Sequence, residues 1–476
     1  MAEGFKRIIL NTWFQKLFIA GCILFISLGL YWLLQQPDFY HNTLGRITHT
    51  YEHAGSGRNV KIVEVDKPFE KWRGESIYHW DAALYDRIRA EGYVPGSVGA
   101  KEKLAFYPLF PWLWKITKAG PRGVLLMNYL LFTGGLLLLM SALLPSGKQS
   151  SFLFTIAMLL PPAVNFYLPY AEALFLFTFS LGVWGIMKGK YWIFAIGVFL
   201  ACMARPSALI FMLSLLAADG VYLLIHRNIR HFVREFLLKI LPCLAGFAVV
   251  TIVQYSYSGS WDAYFDSLEL WPSESGLFNT IRDWSREGFG MSVFAIFFVS
   301  IPCVFAVITW AMLSLKGKKK AEPLPLFGSE PDSKRDYLWY LSLLFISANL
   351  AYTILVSGNC MNGYSRYTLA VPFFYIVFFL LPGKLLPVSP RMKALAFSLC
   401  LAGLVFFLSQ VVYGGNRFAF AYDGLYLLLI LTIVILAQPF LSLAGKWIIL
   451  GILILPCIVW QLYLFNMFLS DAWIFT

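Results

Sequence analysis

The amino-acid sequence predicts an all-α, polytopic integral membrane protein. Of its 476 residues, 59% are hydrophobic and 13% are charged, whereas about a quarter of the residues of a soluble domain are charged. The mean hydropathy is +0.67, and long apolar runs recur along the chain. Phe (43), Tyr (25) and Trp (16) are abundant, as expected where aromatic rings collect at membrane interfaces. These observations exclude a soluble globular protein.

A membrane-spanning helix needs about 20 mostly apolar residues. About thirteen stretches approach this requirement, several of them short, so we expect a bundle of about 11–13 transmembrane helices. The candidates are residues 17–34, 121–143, 151–168, 173–187, 191–204, 208–225, 237–256, 291–315, 337–356, 371–382, 394–412, 424–443 and 447–465. The first run has no clear small-residue cleavage site, which indicates a retained signal-anchor helix.

The basic connections between these spans predict the topology. If the N-terminus is cytoplasmic, residues 188–190, 227–239, 316–320 and 384–393 fall on the cytoplasmic side together with Lys446, in agreement with the positive-inside rule. The net charge of +12 is therefore an orientation signal and does not indicate a nucleic-acid-binding surface. On this topology, residues 35–120 form a large first extracytoplasmic loop.

Two shorter segments are expected to lie on the membrane surface. Arg227–Lys239 has the pattern of a basic amphipathic helix on the inner leaflet. Leu104–Thr117 is apolar but too short to span, and we expect Pro108 and Pro111 to break any regular helix there. An interfacial or re-entrant element is therefore predicted for that segment.

Residues 1–315 are predicted to form one membrane module that includes loop 35–120. Residues 316–476 would supply C-terminal transmembrane helices of the same membrane domain, with the polar loop Lys316–Asp336 as the candidate boundary. The sequence contains no Walker A, G-x-G-x-x-G or H-E-x-x-H motif. Six of its seven cysteines lie in apolar segments, which excludes a disulfide framework and a C-x-x-C metal site.

Asp81 is the main candidate for chemistry. It follows the first span in a charged, aromatic stretch that runs from Trp72 to Trp114. One interpretation is a helix N-cap, because a good helical run follows and Gly92 would end that helix. The other is a functional carboxylate, because neighbouring rings and polar groups would suit a sugar and a lipid head group. The local sequence leaves both open.

Several motifs carry a family resemblance, and they follow one another in order along residues 15–380. They are H-W-D-A-A-L-Y-D-R-I-R-A-E-G-Y (His79–Tyr93), A-F-Y-P-L-F-P (Ala105–Pro111), P-Y-A-E-A-L-F (Pro169–Phe175), A-R-P-S-A (Ala204–Ala208), Y-S-G-S-W-D-A-Y-F (Tyr257–Phe265) with Trp271, and S-R-Y-T-L-A-V-P-F (Ser365–Phe373). Together they resemble the PIG-V-like mannosyltransferases, which are membrane glycosyltransferases of the GT-C fold. The W-D pair and F-Y-P-L-F-P are the most specific part.

The resemblance implies a GT-C-like bundle, with residues 1–315 as its catalytic module. It also implies transfer of mannose or another hexose from a polyprenyl-phosphate-sugar to an extracytoplasmic acceptor with inversion. It implies that Asp81 is the general base. A phosphate leaving group needs positive charge nearby, for which Arg205 and Arg366 are the candidates. The residues expected to contact the acceptor or sugar are His79, Trp80, Tyr107, Glu172 and Asp262.

Each of these residues also has a structural interpretation. Arg205 could be an interfacial arginine that extends to lipid head groups, and Arg366 could be solvated in a polar loop. Glu172 could pair with Arg205, hydrogen-bond the acceptor, or simply begin a helix. His79 could be a structural hydrogen-bonding group, and Asp262 ranks below Asp81 as a base.

Asp219 is interpreted as a hydrated helix end near the inner side of the membrane.

The expected partners of the protein are the lipid-linked donor, a glycan, glycolipid or protein acceptor, and membrane lipids, with no nucleic acid. The sequence indicates no certain cofactor and leaves open whether a divalent metal takes part. No N-x-S/T sequon occurs, which favours a bacterial cytoplasmic membrane, with the ER membrane as the eukaryotic equivalent. The competing functions are a transporter or flippase of a lipid-linked glycan and a catalytically silent partner subunit with the same fold.

Overall fold

The computed structural model describes residues 12–43, 50–54, 61–65, 69–94, 99–144, 148–268, 295–315, 330–356, 364–385 and 442–471, together with residues 389, 391, 395, 398 and 402. Most residues of the predicted spans at 394–412 and 424–443 lie outside these ranges, and so does most of the predicted boundary loop Lys316–Asp336.

Helices make up most of the described chain. They are α1 (Thr12–Leu34), α2 (Pro37–Asn42), α3 (Trp80–Glu91), α4 (Ala100–Lys103), α5 (Leu109–Thr117), α6 (Pro121–Leu143), α7 (Lys148–Leu159), α8 (Glu172–Met187), α9 (Tyr191–Ala204), α10 (Ala208–His226), α11 (Ile229–Ser258), α12 (Ala263–Leu268), α13 (Ile301–Leu315), α14 (Pro331–Val356), α15 (Tyr364–Leu369), α16 (Pro372–Leu385) and α17 (Leu443–Leu469). Short 3₁₀ turns cover Gly74–Ile77 and Pro161–Phe166, and a π-helical turn covers Ala295–Ser300.

The protein is an integral membrane protein. Six described helices are long and apolar enough to cross a membrane, and five further apolar helices have between 10 and 17 residues. The six cover Trp13–Leu34, Pro121–Leu143, Ile229–Ser258, Ala295–Leu313, Pro331–Leu355 and Leu450–Leu469. The bounds predicted for the spans at 121–143 and 191–204 are those of α6 and α9, so both helices are confirmed. Helix α6 is among the six that are long enough to cross a membrane, whereas α9 is one of the shorter apolar helices.

The chain divides into two compact units. Unit 1 comprises Met1–Trp80, Pro145–Val164 and Leu381–Thr476, and unit 2 comprises Asp81–Leu144 and Asn165–Leu380. In unit 1, α1, α7 and α17 pack against one another. Gln461 of α17 donates from Nε2 to the carbonyl oxygen of Met158, at 3.0 Å, and to that of Leu160, at 2.9 Å. The end of α7 is therefore fastened to α17 by a buried amide.

In unit 2, the hairpin of α8 and α9 packs at very short range because glycines face each other across it. A Cβ atom added to Gly185 would lie 2.4 Å from the backbone nitrogen of Phe194, and one added to Gly197 would lie 2.4 Å from that of Gly182. Only a residue without a side chain fits there. The two helices are joined through Gly189, which has a φ of 66°, so the start of α8 and the end of α9 lie together.

Helix α6 fixes the chain just before α8. The buried side-chain amide of Asn128 donates to the carbonyl oxygen of Leu168 and, at 3.0 Å, to that of Tyr170. These carbonyls precede the first turn of α8 and would otherwise be buried without partners, which is unfavourable. Asn128 thereby positions Glu172, the first residue of α8.

The first loop carries a short antiparallel hairpin of β1 (Thr50–Ala54) and β2 (Lys61–Val65), in which Thr50 pairs with Val65. One detail predicted for this loop needs correction. Pro108 and Pro111 do not prevent a regular helix, since α5 begins at Leu109. Pro111 lies in the first turn of α5, where backbone N–H groups have no intrahelical acceptor, so a proline is tolerated there.

The prediction of a separate surface helix at Arg227–Lys239 is wrong. Asn228 caps a single helix, α11, which accepts Pro242 in its interior and continues to Ser258. Lys239 is buried rather than solvated, because it meets a carboxylate of the neighbouring helix α10. The basic stretch is therefore the first part of a membrane-spanning helix.

Candidate functional site

Helix α3 presents Asp81 from its first turn. The helix begins at Trp80, whose φ of 52° places a bulky residue in the left-handed region, an unusual conformation that is often found at functional sites. The helix ends before Gly92, which has a φ of 78°, as predicted for that glycine. Ala82, Tyr85 and Ile88 are buried. Asp81 therefore lies within the helix rather than in the N-cap position before it.

Arg366 of α15 is the centre of an ion-pair cluster. Its NH1 atom lies 2.8 Å from Asp81 Oδ2, and its NH2 atom lies 2.5 Å from Glu172 Oε1. Its Nε atom also donates to Glu172 Oε1, at 2.5 Å. One guanidinium thus joins two carboxylates that come from different helices. The interpretation of Arg366 as a solvated loop residue is wrong, because its side chain is only 9% exposed.

Arg205 supplies the second positive charge. Its NH1 atom lies 2.9 Å from the same Oε1 atom of Glu172. The contact between these two atoms is an ion pair without the alignment of a hydrogen bond. Arg205 follows the last residue of α9 and has an extended backbone, with φ −150° and ψ 146°. This conformation is expected for a residue that precedes a proline, here Pro206. The predicted pairing of Glu172 with Arg205 is confirmed.

The cluster is buried and electrically balanced. It holds two carboxylates and two guanidinium groups, and Glu172 is 1% exposed whereas the side chain of Asp81 is 18% exposed. Burial by itself would lower the pKa of Arg366, but Glu172 and Asp81 raise it, and the pKa lies well above its usual value. Arg366 therefore remains charged. Buried charges of this kind are stable only when paired.

Two tyrosines lie against the guanidinium groups. The carbon Cζ of Arg366 lies 4.2 Å from the ring centre of Tyr170 and 5.9 Å from that of Tyr367. The Cζ atom of Arg205 lies 5.7 Å from the ring centre of Tyr367. Such contacts between a cation and a ring are attractive. Tyr367 is 44% exposed, so it forms the accessible part of the cluster's aromatic boundary.

Four of the predicted site residues lie outside this cluster. His79 Nδ1 lies 3.0 Å from Asp471 Oδ1, and its ring contacts Phe468, which agrees with a structural role. Tyr107 is buried in an apolar cluster with Met203 and Val250.

Asp262 and Trp80 complete this group. Asp262 is exposed in the turn before α12, and among the described residues it has no ion pair with the four charged side chains. Trp80 adjoins Asp81 in α3 and belongs to unit 1 in the division of the chain. The predicted acceptor contacts of these residues stay predictions.

Among the described residues, no group of three or more His, Cys, Asp or Glu side chains is placed to hold a metal ion.

A second charged centre was missed by the sequence reasoning. Lys239 Nζ lies 2.5 Å from Asp219 Oδ1, and both groups contact the hydroxyl of Tyr337, at 3.0 and 3.1 Å. The interpretation of Asp219 as a hydrated helix end is wrong, because the residue is 5% exposed. The signal that could have found the pair was an acidic and a basic residue in consecutive apolar helices.

The two tyrosines beside the arginines were also missed. Tyr170 comes two residues before Glu172, and Tyr367 directly follows Arg366, so their positions in the motifs were a usable signal.

Comparison of the chain with protein-family models, with curated proteins and with solved structures finds no match in any of the three. The case for a function therefore rests on the residues themselves.

Proposed function

We propose that the protein is a membrane glycosyltransferase that moves a hexose, such as mannose, from a polyprenyl-phosphate-sugar to an acceptor hydroxyl on the extracytoplasmic face. The observation that carries the proposal is the convergence of Asp81, Glu172, Arg205 and Arg366. Each belongs to a different segment that resembles a PIG-V-like motif. A carboxylate can act as the base in such a reaction, and two guanidinium groups can stabilise the leaving phosphate.

Asp81 is the proposed general base. It would accept the proton of the acceptor hydroxyl as the acceptor oxygen bonds to the anomeric carbon of the sugar. The bond from that carbon to the phosphate oxygen breaks at the same time, and its electron pair leaves with the polyprenyl phosphate. Attack opposite to the leaving group inverts the configuration. Asp81 suits this role because it is the most exposed of the four charged side chains.

Arg205 and Arg366 are the proposed phosphate-binding residues. Negative charge develops on the leaving phosphate, and guanidinium groups that are already fixed in place stabilise it without reorganisation. Both arginines are buried, and Glu172 holds both of them. Glu172 would therefore act as a positioning residue rather than contact the reacting atoms.

The test is sugar transfer by the purified protein in lipid nanodiscs, with radiolabelled polyprenyl-phosphate-mannose and a host membrane extract as the source of acceptor. We expect Asp81→Asn to lower the rate by a factor of about 10² to 10⁴, the usual contribution of a general base. Asp86→Asn is the matched control, because it removes the same charge from α3 at a residue that pairs with Arg89.

Full activity of Asp81→Asn would refute the general-base role. If the wild-type protein moves a lipid-linked glycan across the bilayer but transfers no sugar, the transporter alternative would replace the enzyme. Correct folding of each variant is checked by size-exclusion elution and thermal unfolding.

A further inference from the structure

The guanidinium of Arg366 uses its two sides differently. Nε and NH2 both contact Glu172, which is almost completely buried, whereas NH1 contacts Asp81. The side chain of Asp81 is 18% exposed, twice the 9% of Arg366. Glu172 is thus the inner partner of Arg366, and Asp81 is the outer partner, the one that solvent or a ligand reaches.

The cluster also has hydrogen-bonding capacity that its own members do not use. Arg205 NH1 and Glu172 Oε2 are both buried and make no aligned hydrogen bond, although NH1 lies 2.9 Å from Oε1 of Glu172. Buried donors without acceptors are uncommon and call for an explanation. Arg205 and Arg366 are held by the same oxygen atom of Glu172, so one anion could accept hydrogen bonds from both.

We propose that a phosphate group takes the place of Asp81 on NH1 of Arg366, so that binding of the donor itself releases the general base. This inference rests on the proposed function. The phosphate would keep Arg366 paired and accept the unused hydrogen bond of Arg205, so the exchange leaves neither guanidinium without an anion. It would also free Asp81 Oδ2 for the hydroxyl proton of the acceptor.

The exchange implies an order of binding. Before the donor arrives, Arg366 holds Asp81 Oδ2, and the neighbouring positive charge makes this oxygen a poorer acceptor for the hydroxyl proton. Proton transfer to Oδ2 is therefore expected only after the donor has bound. A free polyprenyl phosphate, the product, would hold the base in its released position until it leaves.

The experiment measures the binding of undecaprenyl phosphate to the full-length protein in phosphatidylcholine nanodiscs. If Asp81 competes with phosphate for Arg366, its neutralisation strengthens binding even though it abolishes transfer. We expect Asp81→Asn, which lowers the rate of transfer by a factor of about 10² to 10⁴, to lower the dissociation constant roughly tenfold, which corresponds to about 1.4 kcal/mol. Asp86→Asn removes an equal charge from the same helix and should leave the dissociation constant within about twofold of the wild-type value.

Asp81→Ala is measured in parallel, in case the first variant does not fold, and should show the same tightening. Undecaprenol, which lacks the phosphate, should bind the wild-type protein and the Asp81 variants equally. Binding of inorganic phosphate is measured for the same variants. If the Asp81 variants bind both inorganic phosphate and undecaprenyl phosphate more tightly than wild type does, the site recognises the phosphate group alone. If only undecaprenyl phosphate binds more tightly, the site requires a phosphate carried by a lipid.

Unchanged or weaker binding of undecaprenyl phosphate by both Asp81 variants would overturn the exchange. Tightening equal to that of Asp86→Asn would also overturn it, because the effect would then be one of general charge. Sugar transfer is measured separately on the wild-type protein. Transfer without tightening refutes the exchange alone, and tightening without transfer refutes the proposed reaction but leaves the phosphate site intact.

Discussion

Removal of the central carboxylate of the cluster tests whether the four charged groups act as a unit. Glu172 is 1% exposed and accepts a hydrogen bond from Arg366 Nε at 2.5 Å. It also lies 2.5 Å from Arg366 NH2 and 2.9 Å from Arg205 NH1. Glu172→Gln would change the balanced cluster to a net charge of +1, with two buried guanidinium groups and only Asp81 to pair them. Breaking a buried pair in this way usually costs about 3–5 kcal/mol.

We therefore expect Glu172→Gln to lower the free energy of unfolding by about 3–5 kcal/mol. The measurement is reversible unfolding by SDS in mixed micelles, followed by tryptophan fluorescence. The control is Asp332→Asn, which removes a carboxylate that is 92% exposed and pairs with Arg335. An exposed pair of this kind contributes under about 1 kcal/mol.

A double variant provides the decisive comparison. Glu172→Gln combined with Arg205→Gln leaves one carboxylate and one guanidinium, so the charge is balanced again. We expect the double variant to be more stable than Glu172→Gln alone by about 1 kcal/mol or more, within the usual range for coupled residues. If the two substitutions are additive, or if Glu172→Gln is no worse than Asp332→Asn, the four groups do not form a coupled unit.

Three further predictions concern other parts of the chain. Lys239→Met should lower the free energy of unfolding by about 3–5 kcal/mol. The combination of Lys239→Met, Asp219→Leu and Tyr337→Phe should be nearly neutral, because apolar side chains can replace a buried ion pair and the hydroxyl that contacts it; SDS unfolding of both variants checks this. Gly197→Ala should lower the free energy of unfolding by about 1–3 kcal/mol through overpacking, because its Cβ would lie 2.4 Å from the facing backbone. The variant should also reduce sugar transfer, and a transfer rate equal to wild type would contradict this prediction. The hydrogen bond from Lys103 lowers the pKa of Glu91 below 4.5. This pair therefore stabilises the fold above pH 4.5, and the stabilisation is lost as the pH falls through the lowered pKa. The difference in thermal unfolding temperature between wild type and Glu91→Gln should shrink as the pH is lowered from 4.5.

The sequence predicted helix bounds and short-range contacts best where several signals from neighbouring residues agree. The helix over residues 191–204 is bounded by Gly189 before it and by Pro206 after it, and these breakers define its ends. Arg205 and Glu172 could also be predicted to meet, because the two short helices between them form a tight hairpin. Local chemistry was sufficient in both cases.

The sequence could not reveal contacts between distant parts of the chain. Arg366 and Glu172 are 194 residues apart, and nothing in either segment indicates that one guanidinium joins Glu172 to Asp81. The error at Arg227–Lys239 has the same origin. A lysine in an amphipathic pattern is normally solvated, and only the approach of Asp219 from another helix makes its burial favourable.

The lengths of the two helices that carry Glu172 and Arg205 have a consequence for the surrounding lipid. Helices α8 and α9 have 16 and 14 residues, so at 1.5 Å per residue they extend only about 24 and 21 Å. The hydrocarbon layer of a typical bilayer is about 30 Å thick. Most residues of α8 are buried against neighbouring parts of the protein, so protein rather than lipid surrounds this helix. A helix pair this short can therefore end below the head-group level without exposing its charged ends to lipid, which is tolerated where protein covers them.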